Sequence, residues 1–293
     1  MTWDLVGHEW AVDLLTAQIG RGELRHAYLF TGPDGVGRRT LALRLAQALN
    51  CPNSDKAGKA CRICRICRQI ENMQQADLFV VQAEKVGGVL KVDQIRELQH
   101  DLSLYPYEAR HKIALLLRFE EANASAMNAL LKTLEEPASQ VILLLTADSA
   151  ENLLPTIVSR CEVLRLRPLP YEGLSEALRE RAGISEKQAR LYAYISGGKP
   201  GLAMRYALDP SLVEDRYDVL DELFYLMSTD IVERFKRAER IAKEREKLRH
   251  RLLIWLSFWR DVLVRAAGSS ELIANLDCIS AVDKLAAGLD IHA

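Results

Sequence analysis

At 293 residues, with 49% hydrophobic and 27% charged side chains, the chain can bury a substantial core and has room for two or three domains of ordinary globular composition. Its net charge of -1 supplies no overall field for nucleic acid, and no apolar run approaches the roughly 18 residues that a membrane-spanning helix requires. The start, with Asp4, His8, Glu9 and Asp13, has neither the basic end nor the apolar centre of a signal peptide, so a cytoplasmic location is expected.

Residues 9–20 place Trp10, Ala11, Leu14, Leu15 and Ile19 at helical spacing and predict a first helix. Ala27-Tyr28-Leu29-Phe30 is a short apolar run of the kind that forms a buried strand. From Thr40 the series Leu41, Leu45, Ala48, Leu49 is helical again. Between strand and helix lies Gly32-Pro33-Asp34-Gly35-Val36-Gly37-Arg38-Arg39-Thr40. That order is the setting of a phosphate-binding loop, G-x-x-x-x-G-K-[ST]. Its glycines let N–H groups close on phosphates, its Lys meets their charge and its hydroxyl holds Mg²⁺. Here Gly32, Gly35 and Gly37 keep the scaffold, but Arg38 stands at the Lys position and Arg39 at the hydroxyl position, with Thr40 one residue beyond. A bulky planar guanidinium does not replace a compact ammonium conservatively in a closed loop.

Cys51, Cys61, Cys64 and Cys67 follow, three of them in a C-x2-C-x2-C run. Four thiolates in a short stretch suit a closed, structural tetrahedral zinc, which orders a loop that has no core of its own. The alternative is a set of free thiols. Lys56, Lys59, Arg62, Arg65 and Arg68 interleave with the cysteines, as a nucleic-acid contact or as a solvated surface balancing thiolate charge. Cys161 and Cys278 are remote and read as small buried residues.

Further strands are predicted at Leu78–Val81, Ile113–Leu117, Val141–Leu145 and Val163–Leu166. Helices are predicted from Val92, with Asp93 as N-cap, over Ala126–Leu134, and briefly at Pro155. The alternation argues for an α/β fold with a parallel sheet covered on both faces. After Pro170 no strand signal returns: short helical patterns fill 172–207. From about 210 a stripe from Ile231 and Phe235 through Ile241, Leu248, Leu252, Trp255 and Trp259 to Val262 predicts long helix, with Lys243–Arg251 as its solvated part and the two tryptophans in core. The expected division is a nucleotide-binding-like domain at 1–167 with the cysteine module at 51–67, and helical domains at 168–207 and 208–293.

Asn128-Ala129-Leu130-Leu131-Lys132-Thr133-Leu134-Glu135-Glu136-Pro137 and Leu154-Pro155-Thr156-Ile157-Val158-Ser159-Arg160-Cys161 carry a close resemblance, joined by Val6-Gly7-His8, His26–Phe30 and the four cysteines. The chain resembles the AAA+ clamp-loader subunits of bacterial DNA polymerase III, the delta-prime and gamma/tau group, well over 1–207 and loosely beyond. The resemblance implies an α/β AAA+ domain, a small helical lid and an all-α collar. It also implies a pentamer with gamma/tau and delta subunits that opens a sliding clamp and places it on primed DNA, driven by ATP bound between neighbours. It implies that Arg160 reaches in trans into the next subunit's site.

In active members of that group an apolar strand ends in Asp-Glu, for magnesium and the attacking water. Aligned from Asn128, those positions are Leu117 and Arg118, neither an oxygen ligand for a hard cation. With both halves of the machinery altered, the departures resemble the delta-prime branch, and no ATP hydrolysis by this chain alone is expected. Two other readings stand beside it: a self-sufficient ATPase using Arg38 with Glu120 and Glu121, and a zinc-stabilised scaffold of another AAA+ machine. The end, Leu289-Asp290-Ile291-His292-Ala293, reads as a collar one helix short.

Overall fold

The computed structural model describes residues 3–54, 58–269 and 273–289; Lys56 and the terminal residues 290–293 lie outside them. The chain divides into two compact units, Met1–Arg167 and Pro168–Ala293.

The first unit is built on a five-stranded, wholly parallel sheet in the order β2-β3-β4-β1-β5. Along the chain come α1 (Glu9–Arg21), β1 (Ala27–Thr31), α2 (Arg38–Asn50), α3 (Arg65–Glu71), β2 (Leu78–Val81), α4 (Val92–Ser103) and β3 (Lys112–Leu116). A 3-10 turn at Phe119–Glu121 leads to α5 (Ala124–Glu135), β4 (Val141–Ala147), α6 (Pro155–Val158) and β5 (Glu162–Arg165). This is the parallel α/β sheet with flanking helices expected from the sequence.

Every residue of β1, β3 and β4 is buried, which is why those strands read as unbroken apolar runs rather than alternating ones. Alternation reappears in three dimensions. Tyr28, Phe30, Ile113, Leu115 and Leu144 face a core with Leu15, Leu41 and Leu45, whereas Leu29, Ala114, Leu116, Leu143 and Leu145 face one with Ile95, Leu98, Leu130 and Leu134.

Helix α4 starts two residues earlier than an Asp93 cap requires. Lys91 is the cap residue, its N–H bonded to Gln94 Oε1 at 3.0 Å, while Asp93 sits inside the first turn and pairs with Arg96. Asn123 caps α5, accepting the N–H of Ala126 at 2.8 Å.

The second unit is helical throughout its described residues: α7 (Tyr171–Ala182), α8 (Glu186–Ile195), α9 (Pro200–Leu208), α10 (Ser211–Ser228), α11 (Ile231–Lys243), α12 (Arg245–Ala266) and α13 (Ile279–Ala286). The long stripe is not one helix, because the chain breaks at Glu244 between α11 and α12. Nor is it all core: Phe235 is 71% exposed, and Ile231 and Leu252 are also exposed. The charged tract is not all solvated either. Arg251 is largely buried against Glu222 at 2.9 Å, because a buried carboxylate needs a cation beside it. Trp255 and Trp259 pack against the core formed by Leu220, Leu223, Ile254, Phe258 and Val262, and Trp255 Nε1 donates to the carbonyl of Val219 at 2.9 Å. Among the described residues no helix is long and apolar enough to cross a membrane.

One buried carboxylate organises the turn that leads into β3. Asp77 accepts the N–H groups of Tyr107, Glu108 and Ala109 at 2.7, 2.9 and 2.9 Å. Burial pushes its pKa up, but those donors outweigh burial and hold it below the ordinary carboxylate value. A depressed folded pKa stabilises above the unfolded value, and that stability fades as pH falls through the folded one. Asp77→Asn is therefore expected to cost about 2 kcal/mol in urea unfolding at pH 7, with the gap to wild type narrowing below about pH 4.

Candidate functional site

The glycine loop joins the end of β1 to the start of α2. Gly32 has φ +142°, and a Cβ there would lie 2.3 Å from the Leu166 carbonyl oxygen, so backbone approach excludes any side chain. Gly37, the cap of α2, has φ +112°, and α2 begins with no acidic residue in its first turn. The loop closes through Val36 N–H on the Pro33 carbonyl at 3.2 Å. His8 supports it from below, with Nε2 3.0 Å from the Val36 carbonyl oxygen. His8 is buried and itself has φ +62°. The sequence signalled it only as part of Val6-Gly7-His8.

Arg38 points inward and is 8% exposed, whereas Arg39 and Thr40 are exposed. Its Nη2 is 3.9 Å from Asp34 Oδ1 and its Nη1 has no hydrogen-bond partner. Burial lowers its pKa, opposed by the carboxylates of Glu120, Asp34 and Asp148. Asp148, just past the end of β4, was not picked out from the sequence: an acid in a loop carries no signal until the fold brings it to the cation.

Leu117 is buried in the core beside the sheet. Arg118 adopts φ +50°, donates its N–H to Thr146 Oγ1 at 2.9 Å, and pairs with Glu121 Oε1 at 3.1 Å. Glu121 also accepts the Gly87 N–H at 2.8 Å, so it is engaged in structure. Oε2 of Glu120 and Oε2 of Glu121 are both buried without a hydrogen-bond partner, and the pKa of Glu120 is raised by burial and by the charges of Asp148 and Glu121. The fold thus brings Arg38, Glu120 and Asp148 within electrostatic reach of one another.

The four cysteines also converge. Their sulfurs all lie within 4.8 Å of one another, against about 3.8 Å between ligands of a tetrahedral site with Zn–S bonds near 2.3 Å. Backbone N–H groups point at the sulfurs, from Cys61 to Cys51 at 3.3 Å, Cys64 to Cys61 at 3.4 Å, and Cys67 to Cys64 at 3.4 Å. Burial pushes Cys61 up, but the N–H groups of Cys64 and Ile63 and the neighbouring thiols bring it to about 6. Burial pushes Cys51 and Cys67 up. A closed all-sulfur donor set fits a thiophilic metal ion. The module is anchored by Gln47, which donates to the Cys67 carbonyl at 2.8 Å, and by the Arg44–Glu71 and Arg62–Asp4 pairs. Arg65 pairs with Glu108 at 2.7 Å, and Lys59 and Arg68 lie on the surface. Cys161 and Cys278 are half-buried rather than buried, and burial raises their thiols to about 12 and about 11.

Arg160 lies between α6 and β5. The parallel register Tyr28↔Glu162 puts it at the end of the sheet where β1 begins, while the glycine loop lies where β1 ends. One chain therefore presents its loop and this arginine at opposite ends of the same strand pair.

A family model described as DNA polymerase III, delta subunit, matches residues 7–170. The chain is 37% identical over 203 residues to the DNA polymerase III subunit delta' of Pseudomonas aeruginosa, a match covering 68% of this chain and 60% of that protein. It is 33% identical over 180 residues to the delta' subunit of Bacillus subtilis, covering 61% and 53%. Against the tau subunit of Escherichia coli it is 35% identical over 175 residues, covering 60% and 27%. The matches thus span little more than half the length of these delta' relatives. Among solved structures, a gamma subunit-related protein of Thermotoga maritima gives a TM-score of 0.48 at 18% identity, covering 95% of this chain and 94% of that one.

Gly32→Ala is expected to lose about 3 kcal/mol or to leave the chain unfolded, read by thermal unfolding, because its Cβ meets backbone and not a yielding side chain.

Proposed function

The chain belongs to the family described as DNA polymerase III, delta subunit, and from that premise we propose that it is a delta-prime-like clamp-loader subunit that does not hydrolyse ATP itself. The observation that carries this reading is the loop that keeps its glycine geometry while Arg38 and Arg39 replace its phosphate and magnesium residues, with Leu117 and Arg118 across from it. Without an oxygen donor at 117 or 118, or a hydroxyl at 39, no magnesium is held for in-line attack.

In this reading the contribution to catalysis comes from Arg160, supplied in trans to the ATP site of a neighbouring subunit. There its planar fork stabilises charge on the transferring phosphoryl group. The placement of Arg160 at the far end of β1 from this chain's own loop supports action on a neighbour. The partners are gamma/tau and delta subunits in a pentamer, with the sliding clamp and primed DNA engaged through the assembly, in the cytoplasm. Helices of 168–207 serve as a lid and those of 208–293 as a collar for assembly. Cys51, Cys61, Cys64 and Cys67 hold a structural zinc, which supplies cross-linking of a segment with no apolar core and no reactive position.

A self-sufficient ATPase using Arg38 and Glu120 is the second reading, favoured by the unpartnered buried Glu120 Oε2 near Arg38. The two separate on the purified chain. No magnesium-dependent ATP hydrolysis is expected from it alone, and hydrolysis abolished by Glu120→Gln would establish the second reading instead. In a complex reconstituted with gamma/tau and delta subunits, Arg160→Ala is expected to cut ATPase about 10³-fold at the one site it serves and to abolish clamp loading. Elemental analysis is expected to find one zinc per chain, and four freely titrating thiols in the folded protein would refute the metal.

A further inference from the structure

The guanidinium of Arg160 is held on two sides. Nη1 donates to the carbonyl of Thr156 at 2.8 Å, and Nη2 meets Glu135 Oε1 at 2.7 Å. Thr156 belongs to α6, and Glu135 is the last residue of α5, which packs against α6. Two helices therefore fix one fork. The carbonyl end of α5, where Glu136 and Pro137 stop the helix, adds the negative end of its dipole to the same cation.

This pair is badly placed to stabilise the fold. The side chains of Arg160 and Glu135 are 34% and 51% exposed, where screening and side-chain entropy leave an ion pair almost nothing to contribute. It is well placed to direct an arginine. A long, flexible side chain that must meet a phosphate in one orientation loses its rotamer freedom at the moment of reaction unless something has already removed it. Two fixed acceptors at one edge of the fork remove it, and the guanidinium keeps further N–H donors for another ligand.

We propose that Glu135 is the positioning residue of Arg160, aiming the guanidinium out of this chain toward the phosphates of the neighbouring subunit. The proposal rests on the trans role of Arg160 given above. Glu135 touches no reacting atom. Its part is geometric, so a glutamine, which offers an acceptor at the same reach, serves nearly as well, whereas an alanine leaves the arginine held only by the Thr156 carbonyl.

The test is steady-state ATPase of the reconstituted complex carrying Glu135→Ala, Glu135→Gln, Arg160→Ala or the Glu135→Ala/Arg160→Ala pair, with thermal unfolding of each purified chain. At the site served, Glu135→Ala is expected to lower kcat about tenfold at unchanged KM for ATP, and Glu135→Gln to recover it to within about threefold of wild type. The double variant is expected to match Arg160→Ala, and all chains to melt within about 2 °C of wild type. If Arg160→Ala leaves the ATPase unchanged, the trans role itself fails, and the positioning role with it. If Arg160→Ala is impaired while Glu135→Ala behaves as wild type or hydrolyses faster, Arg160 keeps its role and Glu135 is not what aims it. A Glu135→Ala chain melting many degrees lower, with no rescue by glutamine, would make Glu135 structural and overturn the proposal.

Discussion

Strand β1 is hydrogen-bonded along both edges, to β4 and β5, and buried on both faces. Nothing at its end can shift to accommodate a change. The chain leaves β1 so close to Leu166 that a Cβ at position 32 would lie 2.3 Å from its carbonyl oxygen, and the glycine loop, the start of α2 and the inward course of Arg38 follow from that exit. A loop fixed this firmly by the sheet keeps its shape whether or not its side chains still serve phosphate chemistry. Geometry and chemistry in the first unit are therefore separable.

What occupies the loop end of β1 is a cation surrounded by acids. A guanidinium buried alone would be very costly, and Asp34, Glu120 and Asp148 are the groups that offset the cost. Their presence cuts against tight anion binding, since a phosphate would have to compete with carboxylates already acting on Arg38. At the other end of the same strands Arg160 has the opposite setting: it is partly solvated, held by one carboxylate and one carbonyl.

The cysteine module shows a different economy. It has little apolar surface of its own, with Cys51, Cys67 and Ile70 its buried contributions. It is tied to the body of the unit by polar contacts from Gln47, Arg44, Asp4 and Trp3. Polar ties of that kind define position but contribute little net stability, which leaves room for the sulfur cluster to supply the rest.

Much of this was legible in the residues. Unbroken runs such as Ala27–Phe30 and Val141–Leu145 announced strands buried on both faces, and the cysteine spacing announced a cluster, because burial and ligand geometry act over a few neighbouring positions. The long apolar stripe misled at Glu244, since a helical period persists across a break that only backbone dihedrals reveal. Phe235 obeys that period and is nonetheless exposed. The sequence by itself determined the parallel α/β unit, the helical remainder, the glycine loop with its replaced residues and the four-sulfur cluster, all of them properties of local pattern. Only the tertiary structure decided that Asp148 and Glu120 act on Arg38, that His8 supports the loop, and that Glu135 holds Arg160. Those contacts join residues 25 to 110 positions apart, and such a pairing has no period, spacing or motif until the sheet brings its strands into register.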